Sequence, residues 1–346
     1  MTRVAVVTSS PPSVEGGHLV IARSLVAALR DTGHDADLVV TPSHPFGRQA
    51  SAYLATWRTD VRRDAAGRPV DRVVSLRYPS YAVRHPAHVC WLNHRMREYY
   101  DGWPRFAATL GPISHVKERL RRAALHAADS YLLRRNVNRV FAQSRTIQAR
   151  LRRFGGIQAE VLYPPAPQRP YRCDAYGDEI LAVSRLTPLK RLDLLVRALA
   201  EPVAAGVRCA IAGDGEQREA LTRLAGELGL DRRIRFVGAV DPAGLVQHFA
   251  TCRAVCFPPL DEDYGFVTVE AFSSRKPVVT CTDSGGPAEL VRDGVSGFVC
   301  EPTPAALAKA LACVAGDREL AERLGAAGFE RAAALTWPAT VKTLLA

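Results

Sequence analysis

The sequence predicts two doubly wound α/β domains, each a parallel sheet covered by helices on both faces. Three observations carry this. Strand-like apolar runs alternate with long Ala/Leu/Arg-rich helical stretches along most of the chain. The alternation breaks once, in a proline-rich stretch near residue 165, and then restarts. At 346 residues, the chain exceeds what one core usually organises. The 47% hydrophobic and 23% charged content suit a globular chain able to bury two such cores.

In order, "RVAVVTS" reads as a buried strand and "HLVIARSLVAALRDTGH" as a helix closed by Gly33. Leu19, Ala22, Leu25, Val26 and Leu29 share one face of that helix. "DADLVVT", "DRVVSLR", "AHVCWLNH" and "NRVFAQS" are further strands, with the basic helix "VKERLRRAALHAADSYLLRR" before the last. On that helix Val116, Leu120, Ala124, Ala127 and Tyr131 form an apolar face, leaving Arg119, Arg122 and His126 largely on the others. The expected boundaries are a first domain over 1–162, a linker over 163–177, a second domain over 178–330 and a terminal segment over 331–346. In the second domain "EILAVSR", "VRCAIAGDG", "IRFVGAV", "AVCFPP" and "PVVTCT" are strands separated by helices. Open sheets of this kind bind ligands beyond the carboxyl ends of their strands, which points to a cleft between the domains.

No stretch of about 18 apolar residues exists to cross a membrane as a helix. The apolar run after Met1 is too short for a secretory leader, so a cytoplasmic protein is expected. Eight scattered cysteines without a CxxC pair read as reduced core thiols rather than a zinc set. The net charge is +11, and Lys117 to Arg153 holds eleven basic residues against Glu118 and Asp129, a local +9. Such a stripe suits nucleic acid, an anionic membrane surface or a phosphorylated ligand, or is simply a solvated face.

Four features sit just after predicted strands. Gly16 and Gly17, in "SVEGGHLVIA", allow a close anion approach at a helix start, or form a plain turn. In "VSRLTPLKRLDLL", Arg185, Lys190 and Arg191 crowd a helix N-terminus, where cations are unfavourable unless an anion lies among them. In "DEDYGFVTVEAFS", Glu262 and Glu270 on one continuous helix would be about 80° apart in azimuth and roughly 12 Å apart along the axis. They would not converge. Gly265 instead suggests a loop feeding a helix near Val267, with phosphate-binding amides around Phe266 and Val267 and further donors at Gly285 and Gly286. No nearby His or Cys supports zinc. Finally His94, flanked by Asn93 and Arg95, is placed to meet a sugar hydroxyl or a developing positive charge, though a lone His is commonly structural. Ser144 and Arg145 repeat that rim placement more weakly.

Together these residues resemble the retaining glycosyltransferases of family 4 (glycosyl transferases group 1). The resemblance covers nearly the whole chain, from "PPSVEGGHLVIARSLVAALRDTGH" to "PPLDEDYGFVTVEAFSSRKPVVTCTDSGGPAELVRDGVSGFV", and includes the E-x7-E element Glu262 to Glu270. It implies the GT-B fold: two Rossmann-like domains facing across a cleft, with a C-terminal helix packing back on the first domain. It implies that Arg185 and Lys190 neutralise a donor diphosphate, Glu262 accepts from the donor sugar and Glu270 from the ribose. Backbone at Tyr264, Gly265, Phe266 and Val267 would hold sugar and phosphate, and Ala239 and Val240 would frame the base. Gly16 and Gly17 would approach the donor, with His94, Asn93 and Arg95 on the acceptor side. The chain departs from the family pattern at "PPLDE", where "PS" is frequent, at Arg191, where Gly is frequent, and in the subgroup-like "WLNHRMREYY".

The expected chemistry is sugar transfer from a nucleotide-diphosphate sugar to an acceptor hydroxyl with retention and without a metal or other cofactor. The acceptor is a lipid, a glycan or a small metabolite. Some relatives dock on anionic membranes through the first domain, so peripheral association at the inner membrane surface is a further expectation. The alternatives are a GT-B phosphorylase or epimerase, and a membrane- or nucleic-acid-binding protein with a vestigial cleft.

Overall fold

The computed structural model describes residues 1–10, 17–42 and 47–346. The chain divides into two compact units, Met1–Pro164 with Thr336–Ala346, and Pro165–Leu335. Its strands and helices run β1 (Arg3–Ser10), α1 (Gly17–Asp31), β2 (Asp35–Pro42), α2 (Gln49–Arg58), β3 (Arg72–Ser75), β4 (His88–Leu92), α3 (Trp103–Ala108), α4 (Pro112–Arg135), β5 (Arg139–Ala142), α5 (Arg145–Arg153) and β6 (Glu160–Val161). The second unit continues with β7 (Glu179–Val183), α6 (Leu192–Ala200), β8 (Arg208–Ala212), α7 (Arg218–Glu227), β9 (Ile234–Gly238), α8 (Pro242–Thr251) and β10 (Ala254–Cys256). It closes with α9 (Phe266–Ser273), β11 (Val278–Cys281), α10 (Gly286–Leu290), β12 (Gly297–Cys300), α11 (Pro304–Gly316) and α12 (Arg318–Ala333), before α13 (Trp337–Leu345) rejoins the first unit.

Each unit carries a six-stranded parallel sheet, in the orders β2-β1-β3-β4-β5-β6 and β12-β11-β10-β7-β8-β9. Buried central strands such as β1 and β8 are near-continuous apolar runs because helices cover both faces. In the second unit the core joins Ile180, Ile211 and Val279 of the sheet to Leu195, Leu199, Leu307 and Leu311 of α6 and α11. In the first, α13 packs on α1, and Trp337 meets the fully buried Trp91 of β4 edge-on at 6.2 Å. The Trp91 indole N–H donates to the Leu162 carbonyl at 2.8 Å, which satisfies its one polar atom. The chain therefore returns to the unit in which it began.

All eight cysteines are free thiols, and five of them are buried. No described helix is long and apolar enough to cross a membrane.

Helix α4 is built inside out. Its apolar face points to solvent, with Ile113 88%, Val116 60%, Leu120 69% and Tyr131 66% exposed. Its inward face instead presents Glu118 and Asp129 beside Leu125 and Leu133. The cause is a polar cluster beneath it. The hydroxyls of Tyr53 and Tyr81 donate to Asp129 Oδ1, and that of Tyr100 to Oδ2 at 2.6 Å. Tyr99 donates to Glu118 at 2.7 Å, while Arg122 donates to the Tyr99 carbonyl at 2.8 Å and His126 Nε2 bonds it at 2.7 Å. Burial pushes the Asp129 carboxyl up, and the three hydroxyls and Arg95 oppose that.

The proline-rich stretch expected as a linker belongs from Pro165 onward to the second unit. Asp174 and Gly177 N–H groups bond the carbonyls of Ala250 and Thr251, and the buried Lys276 ammonium meets the Ala175 carbonyl.

Candidate functional site

In the second unit, four loops at the carboxyl ends of β7, β8, β10 and β11 converge on one rim. The turn after β7 is held against that after β8, where Leu186 N–H donates to Asp214 O at 2.9 Å and Gln217 N–H to Leu186 O at 3.0 Å. Those bonds fix Arg185, whose side chain is exposed and makes no ion pair among the described residues. Residues Pro188–Lys190 form one 3₁₀ turn, bringing Lys190 to Glu262 with Nζ and Oε2 2.6 Å apart. The two side chains are only 16% and 24% exposed, so the pair is partly desolvated and stronger than a surface bridge. The ammonium also lies 5.4 Å from the Phe257 ring centre.

Arg191 does not join these cations on an anion. Its backbone is left-handed, φ 49° and ψ 40°, the conformation that favours glycine. Its guanidinium grips Asp283 at 2.6 and 2.8 Å and donates to the carbonyls of Pro258 and Pro259 at 2.8 and 2.9 Å. One arginine thus ties the loop after β10 to the loop after β11. Replacing it with glycine keeps the backbone conformation and deletes four charge-assisted bonds. In R191G, amide hydrogen exchange at 260–262 and 282–286 is expected to speed up with little change at β7 or β8; unchanged exchange at 260–262 and 282–286 would remove the pinning role.

The same two loops are zipped by backbone. Glu262 N–H donates to Ser284 O at 3.0 Å, and Gly286 N–H to Glu262 O at 2.9 Å. The Gly286 amide, expected as a ligand donor, is therefore spent inside the protein. Gly285 has φ 69°, and a Cβ there would lie 2.4 Å from the Glu262 carbonyl oxygen. Gly265 precedes α9 with φ 82°, and its Cβ would fall 2.7 Å from Pro287 and 2.9 Å from the Phe257 ring. The close approach requires glycine at both. Helix α9 starts at Phe266, so the Phe266 and Val267 N–H groups have no acceptor within the helix. Tyr264 is fully buried and packs edge-on against Phe266 at 5.1 Å. Ala239 and Val240 follow β9 beside the β8 turn, with Ala239 exposed.

Glu270 sits one turn into α9, not in its first turn, and is 5% exposed. It takes bonds from Arg169 Nη1 and, at 2.8 Å, from the Tyr171 hydroxyl. Sequence reasoning missed both donors, because they lie in the stretch taken for a linker.

In the first unit Gly17 opens α1, while Gly16 lies outside the described residues. Just past β4, His94 Nδ1 lies 2.7 Å from the Arg95 carbonyl, which only accepts, so the neutral ring carries its lone pair on Nε2. Asn93 donates to Gln143 at 3.2 Å. Arg95, expected on the acceptor side, is 6% exposed, lies 3.9 Å over the Tyr100 ring, and donates to the carbonyl of Arg150 at 3.2 Å. With His94, it lines a small hollow that also holds Arg97, Arg150 and Asp101. Ser144 caps α5, accepting from Ile147 N–H at 3.1 Å, which accounts for its place after β5. No group of three or more His, Cys, Asp or Glu able to hold a metal occurs among the described residues.

Residues 175–331 match the family model of glycosyl transferases group 1. The D-inositol 3-phosphate glycosyltransferase of Nocardia farcinica is 37% identical over 182 residues, covering 49% of this chain and 40% of that protein. The chain spans about half or less of the length of the curated relatives it matches. Among solved structures, sucrose-phosphate synthase from Thermosynechococcus elongatus superposes with a TM-score of 0.77 at 18% identity, over 99% of this chain and 97% of that one. Anabaena HepE in complex with UDP-glucose does so with a TM-score of 0.67 at 18% identity, over 99% and 98%. These likenesses show the fold, which is GT-B.

Proposed function

We propose that this chain is a retaining glycosyltransferase of family 4 that moves a sugar from a nucleotide-diphosphate sugar to an acceptor hydroxyl. The observation that carries this reading is the pairing of Lys190 with Glu262 beside the exposed Arg185, on the rim where α9 begins. A diphosphate meets two cations and the positive end of a helix there, while Glu262 accepts from a sugar hydroxyl. HepE was solved with UDP-glucose, which favours a uridine donor. The name of the curated relatives favours a small, phosphate-bearing polyol as acceptor.

As the bond from the anomeric carbon to the diphosphate breaks, negative charge grows on the leaving oxygen. Arg185 and Lys190 neutralise it, which is the task a divalent cation performs elsewhere. The acceptor oxygen bonds the anomeric carbon on the same face, and its proton passes to the departing phosphate. Both carboxylates of the rim are already engaged, Glu262 by Lys190 and Glu270 by Arg169 and Tyr171, which suits positioning rather than nucleophilic attack. His94 is assigned to the acceptor hydroxyl from the family resemblance.

Proton NMR of the product tests this: the new bond is expected to keep the donor's anomeric configuration in excess EDTA, whereas inversion or loss of turnover would overturn the mechanism. Turnover with inorganic phosphate alone would favour the phosphorylase instead.

Peripheral docking is a second part of the proposal, favoured by α4. Its outward apolar face is bordered by Lys117, Arg119, Arg134 and Arg135, the pattern of a helix lying on an anionic bilayer. Co-sedimentation with phosphatidylglycerol vesicles at low salt is expected, and L120E is expected to abolish it. Recovery in the supernatant with those vesicles would end this reading.

A further inference from the structure

Glu270 is the buried acid of the rim. Burial raises its carboxyl above the usual range, while Arg169 and the Tyr171 hydroxyl act in the opposite direction. Both donors fall on one oxygen, Oε1. Among the described residues no donor meets Oε2, which keeps its lone pairs for a ligand. Arg169 is itself only 19% exposed along its side chain, so its charge reaches Glu270 with little screening by water. Neither donor sits on α9. They come from the extended stretch before β7, about a hundred residues earlier in the chain, so this clamp is separate from the helix that places the acid.

Resting on the reading of this unit as a nucleotide-sugar site, we infer that Arg169 and Tyr171 are positioning residues that give the site its preference for a ribonucleoside donor. They hold Glu270 ionised, with one oxygen presented to the 2′- and 3′-hydroxyls of the ribose. A carboxylate oxygen oriented this way and left unmatched carries a desolvation cost, so a donor lacking the hydroxyls is rejected more strongly than the lost bonds alone would give. If the clamp is removed, Glu270 turns or takes up a proton, and the site no longer distinguishes the two sugars.

The test is isothermal titration of the full chain with UDP and GDP and with their 2′,3′-dideoxy analogues. Wild type is expected to bind a ribonucleotide about tenfold or more tighter than its dideoxy analogue. In R169Q and Y171F that ratio is expected to fall below about threefold, through loss of ribonucleotide binding, with R169K recovering most of it. R169Q should also lose ribonucleotide affinity as pH falls, and at a higher pH than wild type does. The sign follows from the acid: without Arg169 the raised carboxyl rises further, and its charged form disappears at higher pH. Y171F keeps the ring and its packing, so folding is not at stake in that variant. A wild-type ratio near one, or variants that weaken both nucleotides equally and keep the ratio, would overturn the inference while the glycosyltransferase reading stands. Absence of any nucleoside diphosphate binding would overturn both.

Discussion

Replacing Arg185 and Lys190 together by alanine is expected to lower kcat by about three orders of magnitude or more, since one pre-aimed electrostatic donor is commonly worth about a hundred- to a thousandfold. The loss should fall on kcat more than on donor KM, because the charge they meet is largest as the diphosphate departs. The single variants differ in an instructive way. Arg185 is exposed and makes no ion pair among the described residues, so R185A removes only its action on the ligand. Lys190 holds Glu262 at 2.6 Å, so K190A also leaves a partly buried carboxylate facing the donor and repelling it. K190A is therefore expected to raise donor KM as well, and K190A with E262Q to recover part of that increase. Steady-state kinetics of the four variants check this; equal KM values in R185A and K190A would show that the pair does not act as one unit.

Asp129→Ala is expected to destabilise the first unit strongly. Three tyrosine hydroxyls end on this one carboxylate, and at about 1–3 kcal/mol for each buried polar group left unpaired the loss is about 3 kcal/mol or more. For a unit of this size that corresponds to a fall in Tm of about 6–12 °C. Asp129→Asn is expected to cost less, since the amide still accepts from Tyr53 and Tyr81 and can donate to the Tyr100 oxygen, and it no longer buries a charge. The pH dependence has a defined sign. Burial raises the Asp129 carboxyl in the folded state, so its contribution is most favourable at low pH and declines as pH rises from the unfolded value through the folded one. Calorimetry of wild type and D129N across that window should show the difference between them narrowing as pH increases. A D129A variant that melts with wild type would refute the clamp.

The alternation of apolar runs with helical stretches was enough to read both sheets, because buried parallel strands leave an unmistakable record in sequence. Short edge elements left none: β6 has two residues, and β12 is broken from its helix by the turn-rich "RDGVSG". Helix α2 was missed because its apolar residues scarcely favour one face, leaving only Gln49, Ala52 and Thr56 buried. At the rim, Gly265 announced the loop-to-helix change, and Arg191 stood where a left-handed residue is needed. What it grips could not be read, since Asp283 lies far along the chain. Helix α4 shows the deeper reason. Periodicity identifies an apolar face but not its direction, and here tyrosines 29 to 76 residues distant decide that the charged side turns inward. Likewise proline density marks 163–177 as an aperiodic linker but does not show what it holds, and Arg169 and Tyr171 bond Glu270 from there.

On the proposed function, a nucleotide-diphosphate sugar lies on the second unit's rim, across the cations and the start of α9. Amide hydrogen exchange of the full chain with and without UDP- and GDP-hexoses tests it most directly. Protection is expected in peptides spanning 184–191 and 260–271 with at least one of these donors, and to be lost in the R185A/K190A variant. Protection confined to other segments, or none with any donor, would contradict it.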